Sequence, residues 1–311
     1  AENGQGGNII VKASETLEIT GSLSGLLTQA DRKGRAGNII VETPMLTLNG
    51  GGLIQSSASE FDDGKAGDIS VNASEQILMS NLNSFSTTPA NIATIAYKGD
   101  GGNLSIQTEN LILKNGAELS TSTFGLGKGG NIFIKAADIE VSGIQIIGRR
   151  SLISSINTQS QSSGDAGDIT IETRRLKVLD NGYVSASTFT TGQGGQLSIN
   201  AADSILVKNK GALFVLANFG SSGNAGEMNI NTQTLTVENF GEISSETAGL
   251  GDAGNININV EQLIVQNGGE IRAASSFSNE SLFNSFTGRD KRGQGGKIKV
   301  NANLVYEPYQ K

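Results

Sequence analysis

The sequence predicts an all-β fold: a right-handed parallel β-helix, or β-solenoid, of about ten coils, 28–42 residues each, with three short strands per coil. Three observations predict it. A short phrase, G-[ND]-[IL]-x-[IV] with variants, recurs along the whole chain. After each copy, apolar and polar residues alternate, which is the period of a strand and not of a helix. Glycine is abundant, 42 of 311 residues, whereas proline numbers 3 and His, Cys and Trp are absent. Without a G-X-Y period, that much glycine argues against collagen.

The anchor residues of the phrase are Asn8, Asn38, Asp68, Asn103, Asn131, Asp168, Gln196, Glu227, Asn255 and Lys297, at spacings of 28 to 42 residues. One such copy runs from Gly101 to Gly129. Its first strand, NLSIQT, turns Leu104, Ile106 and Thr108 one way. The second, LIL, turns Leu111 and Leu113 the same way. Asn115-Gly116 makes a corner, and the third strand turns in Leu119, Thr121 and Thr123. The frame runs from Ile9/Val11 and Leu17/Ile19 in the first copy to Ile298/Val300 and Leu304/Tyr306 in the last. Third strands begin apolar and end small, as in Val184-Ala186-Thr188 and Ile243-Ser245-Thr247.

Such a unit cannot bury its apolar side alone, but stacked coils can. Ten rungs at about 4.8 Å give a rod of roughly 43 Å over nine steps. The right hand follows from the crossover preference of parallel strands. Residues 1–311 read as one shaft segment.

The stretch GLGDAGNINI (249–258) contains G-x-G-x-x-G at Gly249, Gly251 and Gly254. A dinucleotide-binding turn needs a helix after that motif. Here a strand pattern follows, and the same spacing recurs at Gly125, Gly127 and Gly130. The glycines are therefore assigned to the turn between coils, where tolerance of positive φ is the expected reason for them. The anchors Asn8, Asn38, Asp68, Asn103, Asn131, Asp168, Gln196 and Asn255 are expected to form a polar ladder of stacked side-chain amides. Calcium repeats would need Asp at a nine-residue period, whereas Asp occupies two anchors here at a period near 30. No metal or cofactor is expected.

A net charge of −7 argues against nucleic acid and anionic membranes as partners. No run of 18 apolar residues exists, so no membrane insertion is expected. No signal peptide is visible in AENGQGGNII, and the lack of cysteine places the chain in no particular compartment.

Parallel β-helices host polysaccharide lyases and hydrolases, so a carbohydrate-active enzyme is the alternative to a non-enzymatic shaft. Without His or Cys, acid–base work would fall to carboxylates, Lys, Arg or Tyr. Asp62, Asp63, Glu109, Glu118, Glu242 and Glu270 are scattered. Glu118, Glu242 and Glu270 share a repeat position, and the last two lie in successive coils. A solvated outward position explains them more simply, and no catalytic residue is assigned.

Three outgrowths exceed the basic coil: residues 83–102, 143–152 and 275–296. Loops on a regular scaffold commonly carry binding, which makes Tyr97, Arg149, Arg150, Phe277, Phe283 and Phe286 candidate partner contacts. Phe124, Phe189, Phe219 and Phe277 recur at nearly the same place in their repeats, which favours packing over a sheet face. Ice binding by flat Thr arrays is a weaker reading of STST (120–123) and STFTT (187–191), because the Thr positions do not recur in every coil.

The stretches GDAGNININVEQLIVQNGGEIRAASS and GKGGNIFIKAADIEVSG resemble the central repeats of filamentous-haemagglutinin-like exoproteins, especially those of filamentous cyanobacteria. The resemblance covers essentially the whole chain. It implies two-partner secretion through an outer-membrane partner, a β-helical shaft, and a secreted or cell-surface place in adhesion, aggregation or matrix. A thiol-free chain fits passage through a pore in the unfolded state. The family's secretion domain and C-terminal region have no counterpart here, and neither end shows a cap. The expectation is a segment of a longer shaft, or copies stacked end to end into a filament, with surface glycans or receptors as further partners.

Overall fold

The structure is a computed structural model and describes residues 4–59, 63–81, 88–218, 220–275 and 293–306. The first coil contains β1 (Ile9–Lys12), β2 (Thr16–Thr20) and β3 (Gly25–Ala30). Each of the next eight begins with one long strand: β4 (Ile39–Asn49), β6 (Ile69–Ser80), β8 (Leu104–Lys114), β10 (Ile132–Ser142), β14 (Ile169–Leu179), β16 (Leu197–Lys208), β18 (Met228–Glu238) and β20 (Ile256–Gln266). Each ends with a short one: β5 (Leu53–Ala58), β7 (Asn91–Ala96), β9 (Glu118–Thr123), β13 (Ser155–Ser160), β15 (Tyr183–Thr188), β17 (Ala212–Ala217), β19 (Glu242–Thr247) and β21 (Glu270–Ser275). The tenth rung is β22 (Ile298–Tyr306), and β11 (Ile144–Ile147) with β12 (Arg150–Ile153) forms a hairpin outside the stack.

All long strands pair in parallel, in chain order, in an 11-stranded sheet that includes β1 and β2. The short strands form a second, 9-stranded parallel sheet. Between the sheets lies one continuous apolar core, running from Ile19 to Leu263. Isologous residues stack directly: Ile132 on Leu104 and Ile169, Val141 on Leu113 and Val178. Each such side chain is fully buried, contributing about 1.5–3 kcal/mol.

The expected first and second strands are one continuous strand from the second coil onward. Between the two halves, a corner residue reverses the inward–outward parity. In β8, Thr108 points in, Glu109 takes the corner, Asn110 points out and Leu111 points in again. In β6 and β16 two residues take the corner, and the register shifts there against the neighbours. Pro44 occupies the corner of β4, where a missing N–H is tolerated.

That parity switch corrects the last rung. Val305, not Leu304, stands over Leu263, and Tyr306 stands over the outward Ile264. Ile298, Val300 and Val305 are 41–60% exposed, because no described coil covers them.

Among the described residues, six coils turn from the long strand into the short one through a two-residue corner of positive φ. In the fourth, Asn115 and Gly116 have φ of 54° and 86°, and the Ala117 N–H closes onto the Lys114 carbonyl at 3.2 Å. Positive φ at both central residues makes this a type I′ turn. Asp180-Asn181, Asn209-Lys210 and Asn239-Phe240 adopt it too.

Candidate functional site

The turn between coils reads G-x-[AG]-G-[NDQEK], and all ten copies carry it, from GQGG (4–7) to GQGG (293–296). None of the glycines in the GLGDAGN stretch has positive φ. That corrects the conformational reason expected for them. What the position requires is the absence of a Cβ. A Cβ on Gly130, Gly167, Gly195, Gly226 or Gly254 would lie closer than 3.0 Å to the carbonyl oxygen of the equivalent glycine one coil back. Gly127, Gly164, Gly192 and Gly251 form a second column under the same restriction. Two glycine columns let successive backbones come into direct contact.

The anchor ladder exists in a different form from stacked amides. Asn8 Oδ1 accepts from the backbone N–H of Asn38 at 2.9 Å. The pattern continues from Asn38 to Asp68, Asp68 to Asn103, Asn103 to Asn131, Asn131 to Asp168 and Asp168 to Gln196, at 2.8–3.0 Å. Each of these backbone bonds needs only an Oδ1 acceptor, so Asp and Asn serve alike, and at one step Asn103 Nδ2 also donates to Asp68 Oδ1 at 3.3 Å. No such bond follows from Gln196 or Glu227 among the described residues, although in the neighbouring column Gln193 Oε1 does accept the Asn224 N–H at 3.2 Å. The anchor ladder resumes where Asn255 Oδ1 receives the Lys297 N–H at 3.0 Å.

A second ladder stands three residues earlier, and the sequence reading missed it. Asp100 Oδ1 receives the Lys128 N–H, Asp165 the Gln193 N–H, Asn224 the Asp252 N–H and Asp252 the Gln294 N–H, at 2.7–3.1 Å. The x of G-x-[AG]-G was its signal. Lys65 bonds Asp100 and, with the Lys128 N–H, holds its carboxyl below the usual carboxylate range.

Side-chain amide ladders do occur, on the outer faces. Asn231 Nδ2 donates to Asn200 Oδ1 at 2.8 Å, and Asn259 Nδ2 to Asn231 Oδ1 at 2.9 Å. On the I′ corners, Asn209 Nδ2 donates to Asp180 Oδ1 at 2.9 Å.

Asn200 and Asn231 of the Asn200–Asn259 column stand on one wall of an axial groove. Outward side chains on the two sides of the long-strand bend enclose it. One wall is the column Asn72, Gln107, Lys135, Glu172, Asn200 and Asn231, in mutual register. The other carries Glu109, Arg174, Ala202 and Gln233, over a floor of Thr108, Ala136, Thr173 and Ala201. Two open hollows of about 640 and 460 Å³ meet at Glu172 and Thr173. At the rim, Arg175 bonds Asp138 Oδ1 and Oδ2 at 2.5 and 2.8 Å and keeps that carboxyl below its usual range. Arg174 reaches the same carboxylate at 3.3 Å.

The expected contact residues scatter. Tyr97 is 40% exposed and stacks on Phe124, 39% exposed, with ring centroids 5.2 Å apart. Phe189, two coils on, is exposed to the same degree, 39%. Arg149 and Arg150 lie at the tip of the β11–β12 hairpin, whose two-residue loop starts at Gly148 with φ 61°. Residues 83–102 are less of an outgrowth than expected, since Asn91–Ala96 is β7, in register with β5 and β9. Phe277, Phe283 and Phe286 lie outside the described residues, as do Asp62 and Phe219.

Glu242 and Glu270 are adjacent in register, and both lie against Arg272, at 3.0 and 3.9 Å. Glu118, the third residue of that set, accepts from Asn157 Nδ2 at 2.8 Å. No protein-family model, curated protein or solved structure matches the chain.

Proposed function

We propose that this β-solenoid is a stretch of a non-enzymatic, extracellular shaft that works in adhesion or aggregation. The observation that carries the reading is evenness. Among the described residues, the glycine columns and the core repeat coil after coil, and the two backbone ladders run through stretches of the same stack. A uniform rod suits load-bearing and the display of a long side surface. Export of the haemagglutinin-like kind, through an outer-membrane partner, belongs to the proposal on the resemblance of the repeats alone. So does stacking of a further coil, from the same chain or a second copy, over the exposed Ile298 and Val300.

Electron microscopy of the native secreted material tests this reading. Long thin rods or fibres are expected, and short discrete particles would overturn it.

The second reading is a polysaccharide lyase or hydrolase. The axial groove favours it, since Glu109, Glu172 and Arg174 all line it. A screen for cleavage of linear polysaccharides separates the two, and the shaft reading expects no new chain ends.

A further inference from the structure

We infer that the axial groove along the long-strand bend is a binding site for a neutral linear polysaccharide, laid parallel to the solenoid axis. The inference rests on the shaft reading and names the ligand class of its side surface.

Three features point to that chemistry. The first is shape, because the two hollows share Glu172 and Thr173 and form one open trough that crosses several coils. An open trough suits a polymer that enters sideways rather than a small molecule, which prefers an enclosed pocket.

The second is the wall. Asn200 and Asn231 line the trough and Asn259 continues their column; all three are exposed, and their amides are fixed by mutual bonds of 2.8 and 2.9 Å. Each amide nitrogen has two hydrogens and each amide oxygen two lone pairs, so the ladder leaves a donor and an acceptor per residue free to face outward. These groups repeat at the coil spacing, about 4.8 Å. That is close to the rise of one pyranose unit in an extended 1,4-linked chain. An extended peptide, whose side chains recur on one face every 6.6–6.8 Å or so, does not match. Because the amides are already immobilised, binding loses little side-chain entropy.

The third is charge. Lys135 and Arg174 are offset by Glu172 and Glu109 in the trough, and Arg174 and Arg175 are engaged by Asp138. Toward Asn200 and Asn231 the lining beyond Glu172 is uncharged. A polyuronate or sulfated chain would need a run of unpaired cations, which this trough does not offer.

Affinity electrophoresis of the intact protein tests the site, with xylan, mixed-linkage β-glucan, polygalacturonate and heparin as probes. Retardation by a neutral glycan is expected, weakened about tenfold by the double change Asn200→Ala with Asn231→Ala. Ala202→Trp fills the trough from an exposed position and is expected to abolish retardation. Circular dichroism confirms that each variant is folded. No retardation by neutral glycans, retardation by the polyanions alone, or binding untouched in both folded variants would overturn the site. Reducing ends are counted in the same runs. Their release would overturn the shaft reading and leave the groove assignment standing, whereas loss of binding leaves the shaft reading intact.

Discussion

At the scale of single residues, the repeat phrase records contacts with the next coil. Gly195 is glycine because the Gly167 carbonyl oxygen occupies the space of a Cβ. Gly195→Ala is expected to cost about 3 kcal/mol or more, since backbone rather than a pliable side chain must move. Gly7→Ala meets nothing within 4 Å and should be neutral. Denaturant titration of the pair checks both. Asp168 acts only as an acceptor, for the Gln196 N–H, so Asp168→Asn should be nearly silent, while Asp168→Ala should lose about 1 kcal/mol or somewhat more.

Acid acts on the same scale. Asp138 is held below the usual carboxylate range by its bond to Arg175, and Glu238 by its bonds to Lys208 and Gln266. A depressed folded pKa gives stability that is present above the unfolded pKa and lost as pH falls through the folded one. Thermal midpoints should therefore drop below about pH 4, and Asp138→Asn should flatten part of that slope. A slope unchanged in Asp138→Asn would remove the ion pair from the account.

At the scale of elements, the long strand and its corners decide the cross-section. A corner residue that reverses parity lets one strand serve both halves of a bent sheet and opens a trough on the outer side. Inside the bend, Leu176 is fully buried between Ile139 and Ile205. Leu176→Ala is expected to cost 2–5 kcal/mol or so, measured by chemical unfolding. The I′ corners carry strain where the residue is not glycine or asparagine. Phe240 has φ 62° and is 69% exposed. A left-handed non-glycine residue costs roughly 1–2 kcal/mol. Phe240→Asn should raise stability by about 0.5–1 kcal/mol, and a lowered midpoint would mean that the ring's packing over Gly268 outweighs its backbone strain.

At the scale of the whole molecule, each coil touches only its neighbours, and stability is close to a sum of coils and interfaces. The interior coils have both faces covered, whereas Ile298, Val300 and Val305 do not. Hydrogen exchange is expected to be slowest in β10, β14 and β16 and fastest at β22. Uniform protection along the chain would contradict a linear stack.

The sequence by itself determined the all-β class, the period, the inward residues of nearly every strand and the Asn115-Gly116 corner. Those features are local: side chains alternate at period two within a strand, and Asn-Gly marks an I′ turn wherever it stands. It misread Leu304 and Tyr306 because the parity reversal at a bend leaves no mark in a short apolar run. The tertiary structure alone decided why the glycines are glycines, which atom of Asn or Asp the ladders use, that two strands are one, and that a trough lined by an amide ladder runs along the rod. Each of these depends on a partner in the next coil, 28 to 42 residues away, and a contact at that distance is set by the stacking of backbones, not by any neighbour in the chain.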